Sequence, residues 1–448
     1  MSSGGYNLAT MPCLSEPKAI SLGSQTTIDD PLAQKADTAI TDLERKYPMR
    51  ESWRWFGPSD PISIDDIRQT GATDIVSALH NVPTGEIWPI DAIQEYKSLI
   101  EAGNARSSPL LWSVVESIPV HEDIKLGRDG CQAYIDSWIT SMENLAQCGI
   151  KTICYNFMPV IDWTRTDLSY QLNNGVYALR FDQKKFAAFD LYILRRPNSA
   201  LDYTDAEISE AKDIYTQMSA EEADQLTRNI IAGLPGKMTD AYTLENFREA
   251  LAQYQSMSRE QFRTNLYTFL AQVLPKAEAA GVKLAIHPDD PPQDMLGLPR
   301  VICTAEDLDR LFEDQPSPAN GITLCVGTYG SRPDNNLPDM ARRFGSRIHF
   351  AHLRGVSRDP DEQRSFYEAS HLDSDIDMVG VIRELLAEEH KRLQAASNTT
   401  QEIFIRPDHG HQMLDDIGKK VNPGYSGIGR LKGLAEVRGV IRALSSTT

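Results

Sequence analysis

His287 in LAIHPDD, Cys325 in TLCVG, His352 in FAHLR and Asp408 in IRPDHGH each stand at the end of a short apolar run, and together they are a metal-ligand set. Two imidazoles, a thiolate and a carboxylate are borderline in softness, which suits Fe(II), Zn(II), Co(II) or Mn(II) better than Mg(II) or Ca(II). Taken singly, each has a plainer use. Cys325 in an apolar run packs as a small hydrophobe, either histidine serves as a satisfied strand-end residue, and Asp408 caps a helix or makes a turn. Ligation is favoured because all four fall at the same end of successive runs. A structural zinc would use closely spaced cysteine pairs, and the chain has none.

The segment RPDHGHQMLDD sets His409 and His411 beside the fourth ligand candidate. His409 suits proton transfer near neutral pH, its ordinary value being about 6.5; His411 is given no role. Tyr425, in NPGYS, precedes the last helical pattern, where its phenol can turn over the same site or remain a surface aromatic. Further polar residues follow the runs: Asn156, then Asp162, Trp163 and Arg165 in VIDWTRTD; His121, Glu122 and Lys125 in PVHEDIK; and Arg354 after His352. Such groups suit a substrate with many hydroxyls and a carboxylate, which Arg holds bidentately, although each alone is more often salt-bridged surface than a ligand contact.

Residues so distant in sequence converge only if the elements carrying them share one mouth. Short β-branched runs alternate with amphipathic stretches, the pattern of βα units and a parallel sheet. Strands are expected at Trp53–Phe56, Asp74–Leu79, Leu110–Ser117, Lys151–Phe157, Val282–His287, Ile322–Val326, Ile348–Leu353 and Glu402–Arg406. Helices are expected at Ile64–Gln69, Ile90–Glu101, Cys131–Ala146, Arg259–Ala280, Glu306–Glu313, Leu337–Phe344, Met378–Arg392 and Ile428–Leu444. Eight of each is the tally of a (β/α)8 TIM barrel, whose strand ends at the C-terminal face build the active site. The connection between the fourth and fifth strands, about Pro159 to Ser256, is long and holds helical patterns at Asp205–Gln217 and Ala220–Ile231, so a helical lid is expected there. Residues 1–50 read as an N-terminal extension with one short helix, Pro31 to Arg45, and 51–448 as the catalytic domain.

Composition narrows the function. With 41% hydrophobic and 24% charged residues, the 448-residue chain has the material for a large core. A net charge of −18 argues against a nucleic-acid partner. Six scattered cysteines suit a reducing compartment, and there is neither a run of about 18 apolar residues nor a secretory or mitochondrial leader pattern. A cytoplasmic protein with no membrane partner is expected.

The strings WRWFGP, GATDIVSALH, WSVVESIPVHEDIK, LAQCGIKTICYNFMPVIDWTRTDL, TRNIIAGLPG, HPDDPP, LGLPR, RPDHGHQMLDD and NPGYSGIGRLKGLAEVRG resemble those of mannonate dehydratases of the xylose isomerase-like barrel type, from Trp53 to about Gly439. The resemblance implies conversion of D-mannonate to 2-keto-3-deoxy-D-gluconate and water in hexuronate (glucuronate) catabolism, with Mn2+ or Fe2+. It implies His287, Cys325, His352 and Asp408 as metal ligands and His409 and Tyr425 as the proton-transfer pair. The chemistry of such a dehydration is expected to give Tyr425 the C2 proton and to have His409 protonate the departing C3 hydroxyl, with the reverse order left open. Substrate contacts are expected from Asn156, Trp163, Arg165, Lys125 and Arg354, and a homo-oligomer by analogy with similar barrels. A sugar isomerase would favour a carboxylate-rich ligand set, often with two metals; an apurinic-site nuclease would need several zinc ions and a basic face. A scaffold that had lost turnover would show a missing ligand, and none is missing.

Overall fold

The computed structural model describes residues 48–103, 109–233, 242–362, 364–395 and 402–446. The helix expected at Pro31–Arg45, and all of the extension before residue 48, lie outside the described residues. Among those residues twelve strands form: β1 (Arg50–Arg54), β2 (Asp74–Ser77), β3 (Leu111–Glu116), β4 (Thr152–Tyr155), β5 (Asp167–Gln171), β6 (Tyr177–Phe181), β7 (Lys283–Ile286), β8 (Asn320–Cys325), β9 (Ile348–His352), β10 (Gly355–Arg358), β11 (Phe366–Ala369) and β12 (Phe404–Arg406).

Eight of them close a parallel barrel in the order β1-β12-β9-β8-β7-β4-β3-β2. A parallel barrel buries both faces of its strands, so they read as unbroken apolar runs; β4, β8 and β9 are buried at every position. Val76, Val114, Cys154, Ala285, Phe350 and Phe404 fill the inside as a separate core layer. The helices pack outside, and the longest, Arg259–Ala280, meets Gln132–Gln147 edge to face, with the Phe269 and Trp138 ring centroids 5.3 Å apart. Local signals set several helix ends. Ser63 and Thr304 form capping boxes with Asp66 and Asp307, and Gly281 ends the long helix at φ +67°.

The barrel's closing seam joins β1 to β12. The buried Glu389 carboxylate accepts Met49 N–H at 2.7 Å and Ile403 N–H at 3.1 Å, one from each strand's approach.

The connection between β4 and β7 carries the helices Asp205–Gln217 and Ala220–Ile231, and a further one at Leu244–Ala252. It also carries β5 and β6, which the sequence reading lacked. These pair antiparallel with β10 and β11, from the loop after β9, in a second sheet ordered β10-β11-β6-β5. A reciprocal backbone pair, Tyr177 with Gln412, ties β6 to the loop after β12. The insertion is therefore hydrogen-bonded to two of the loops that rim the barrel mouth.

Candidate active site

Strand register gathers the site. Cys325 pairs with His352, and His352 with Arg406, so three adjacent strands end on one rung. His287 follows β7, its N–H bonded to Tyr155 O at 2.7 Å. Ligand atoms of His287, Cys325 and His352 lie within 4.8 Å of one another. Asp408 follows β12 at φ +64°, a left-handed turn that Asp tolerates better than most residues. Its Oδ2 stands 3.8 Å from Cys325 Sγ and 3.9 Å from His352 Nδ1.

These residues fit a bound cation. Among the described residues neither ring nitrogen of the fully buried His352 has a hydrogen-bond partner, a costly state for a buried polar group unless something else engages it. His287 Nδ1 lies 2.7 Å from Pro288 O, which leaves Nε2 to face the cluster. Burial opposes charge on both partners of the next pair, yet charge prevails. The Cys325 thiol is held well below its ordinary range by Arg354 and His287, and His287 is raised to about 9 by Cys325. Asp408 is likewise kept ionised against burial by Arg406, His409, His352 and Arg354.

The proton-transfer candidates stand beside this cluster. His409 Nε2 is 3.2 Å from Tyr425 Oη, with the ring centroids 4.8 Å apart. On its other side Nδ1 meets Glu368 Oε1 at 2.6 Å. Trp163 meets the His409 ring edge to face, and Phe56 meets Tyr425 in the same way. Burial pushes the Tyr425 phenol up to about 12, although Arg406 pulls the other way.

One cavity joins the metal cluster to this pair, and Asn156 and Trp163 line it with Arg54, Glu116, Arg406 and Tyr425. The other expected substrate contacts sit outside that lining. Arg165 is wholly buried and bonded to Asp290 at 2.7 and 3.2 Å and to Glu368 at 3.4 Å. Arg354 is buried among Glu368, Asp290, Thr328 and Asp408. Lys125 is bonded to Glu122 at 2.6 Å and to Met158 O at 2.8 Å. In this structure their charge is engaged by protein carboxylates and carbonyls, and Arg354 also reaches His409 Nδ1 at 3.0 Å.

The cationic groups that do face the cavity are Arg54 and Arg406, which sequence reasoning missed. Glu116 separates them: its Oε1 takes a 2.9 Å bond from Arg406, and its Oε2 lies 3.1 Å from Arg54 and 3.6 Å from His352 Nε2. Burial would raise the Glu116 carboxyl, but Arg406, His352 and Arg54 hold it well below its ordinary value. The available signal was position, since Arg54, Glu116 and Arg406 each end a barrel strand. Glu368 gave no such signal, because β11 lies outside the barrel.

A family model described as D-mannonate dehydratase (UxuA) matches residues 49–448. A mannonate dehydratase of Marinomonas sp. (strain MWYL1) is 54% identical over 399 residues, covering 89% of this chain and 100% of that protein. One of Saccharophagus degradans is 52% identical over 397 residues, covering 88% and 98%. Among solved structures, the mannonate dehydratase from Streptococcus suis serotype2 aligns with a TM-score of 0.67 at 32% identity, covering 90% of this chain and 95% of that one.

Proposed function

The chain belongs to the D-mannonate dehydratase family, a family of hydro-lyases, and from that premise we propose the finer chemistry: D-mannonate loses water to give 2-dehydro-3-deoxy-D-gluconate, as a step of hexuronate breakdown. The observation that carries this reading is the His287, Cys325 and His352 cluster, whose His287 lines the same cavity as Asp408, His409 and Tyr425. His287, Cys325, His352 and Asp408 would hold a Mn2+ or Fe2+ ion. Such an ion would supply a Lewis acid that eases the negative charge developing as C2 loses its proton.

The protein's own groups then divide the proton traffic. His409, with Nδ1 turned to Glu368, offers Nε2 to the C2 proton. Tyr425, its phenol raised to about 12 by burial, retains its proton at neutral pH and delivers it to the C3 hydroxyl, which departs as water. The resulting enol gains a proton at C3 and loses the one on its C2 oxygen, which returns both side chains to their starting forms. This is the reverse of the order expected from the sequence. The reason is desolvation, which keeps a buried phenol neutral and makes it a donor before it is a base.

Loading metal-stripped protein with Mn2+ or Fe2+ and following the 2-keto-3-deoxy acid tests substrate and cofactor together. Recovery of turnover supports the reading, and no turnover with any divalent ion rejects it. Deuterium exchange at C2 tests the order: Tyr425→Phe should retain exchange and lose elimination, whereas His409→Asn should lose both.

A further inference from the structure

Glu368 belongs to β11, in the sheet shared with the insertion, where it pairs with Val356 of β10. Its side chain crosses from that sheet into the barrel mouth and is almost fully buried, at 4% exposure. One oxygen, Oε1, meets His409 Nδ1 and Arg354 Nη1, each at 2.6 Å, with Arg165 Nη2 at 3.4 Å. The backbone is pinned as well: His411 Nε2 donates to Glu368 O at 2.8 Å, fastening β11 to the loop that carries His409. The two arginines have a second carboxylate in Asp290, which both reach, so Glu368 is more than their counter-ion.

Two groups compete for His409 Nδ1, and they demand opposite protonation there. Arg354 Nη1, at 3.0 Å, can only donate and asks Nδ1 to be an acceptor. A carboxylate can only accept and asks Nδ1 to carry the hydrogen. The shorter approach belongs to Glu368. With the hydrogen on Nδ1, the lone pair of the neutral ring lies on Nε2, facing Tyr425 Oη and the cavity.

Resting on the assignment of His409 as base, we infer that Glu368 is the positioning residue that selects the His409 tautomer, with Arg354 as the group that would select the wrong one in its absence. Glu368 also supplies a fixed negative charge beside the imidazolium that forms when Nε2 takes a proton. The guanidinium groups of Arg354 and Arg165, at 2.6 and 3.4 Å from Oε1, favour the ionised carboxylate. The added sheet thus contributes a group to the proton transfer.

The test is a kinetic cycle on metal-loaded enzyme with Glu368→Gln, Glu368→Asp, His409→Asn and the double variant Glu368→Gln/His409→Asn, with bound metal measured in each. Glu368→Gln should lower kcat by roughly 10²- to 10⁴-fold, the range for loss of a carboxylate that orients a catalytic histidine, while KM stays within about threefold. Metal content should equal that of the parent, and the double variant should be no slower than His409→Asn alone, because the carboxylate acts only through that ring. Glu368→Asp retains the charge that Arg354 and Arg165 need but falls short of Nδ1. Its kcat should also fall, which keeps the test decisive if the Gln variant does not fold. Wild-type kcat in both Glu368 variants, activity lost in proportion to metal, or a multiplicative loss in the double variant would each overturn the inference. Wild-type turnover by His409→Asn would instead reject the assignment of His409 on which it rests.

Discussion

Gly424 packs so closely against His409 that a Cβ built on it would lie 3.2 Å from the ring's Cγ and 2.7 Å from Leu179 Cδ1. The position has φ +80°, so it needs glycine for conformation as well as for space. Gly424→Ala should cost about 1–2 kcal/mol in stability, from strain at a positive φ. It should also displace the His409 ring and lower kcat by roughly 10- to 100-fold, because small misplacements of a reacting group are expensive. Urea unfolding and steady-state kinetics measure the two effects separately; an unchanged kcat would show that the ring tolerates the shift.

Cys325→Ser and His352→Ala should each reduce metal affinity by at least roughly 100-fold, beyond what loss of an outer partner causes. Both sites are fully buried, so neither gap is easily filled by bulk water. Thermal unfolding followed with added Mn2+ gives a readout independent of turnover: the parent should be stabilised by the ion, and the variants should not.

Arg54 faces the cavity from the end of β1, and among the described residues its carboxylate partner is Glu116, at 3.1 Å. Its Nε makes no hydrogen bond. Arg54→Gln should therefore raise KM for the sugar acid by about 10- to 100-fold, the scale of one charge-assisted hydrogen bond, and lower kcat less. An unaltered KM would remove Arg54 from carboxylate recognition and leave the metal cluster to do it.

Glu389 predicts a pH dependence at the barrel seam. Burial raises its carboxyl to about 7 despite the bonds from Ile403 N–H and Met49 N–H. Since the folded value lies above the unfolded one, near 4.5, the group's contribution is fully present below about pH 4.5. It is lost as pH climbs to about 7, and above that it is flat. The loss is on the order of 3 kcal/mol by linkage. Denaturant unfolding at pH 5 and pH 8 should show the parent losing more stability than Glu389→Gln; equal losses would place the titration elsewhere.

The barrel was legible because its strands are buried on both faces. β8 and β9 appear as largely apolar runs, and the ligand candidates at their ends, Cys325 and His352, break that pattern. β1 was displaced, expected at Trp53–Phe56 and found at Arg50–Arg54, because it opens with two charges. Arg50 pairs with Asp74, and Glu51 with Arg438, and those partners are invisible locally. The insertion's helices at Asp205–Gln217 and Ala220–Ile231 begin with capping boxes, Thr204 with Glu207 and Ser219 with Glu222, which are readable signals. β5 had none: Asp167–Gln171 is only partly buried and has no apolar run, so its strand character comes from pairing with β6. The carboxylate partners of Arg165 and Arg354 were equally invisible in the sequence, since Asp290 and Glu368 come from distant segments.

The seam between β1 and β12 also bears on how the chain is made. Ser52 Oγ donates to Ile405 O across that seam, a contact spanning 353 positions. A ribosome adding roughly 5–20 residues per second needs on the order of 20–70 s to deliver β12 after β1 has emerged. Throughout that interval one edge of β1 has no partner, and an unpaired strand edge is a template for pairing with other chains. That edge of β1 is thus a hazard during synthesis, present before the active site exists, and a chaperone that shields it should raise the yield of folded enzyme.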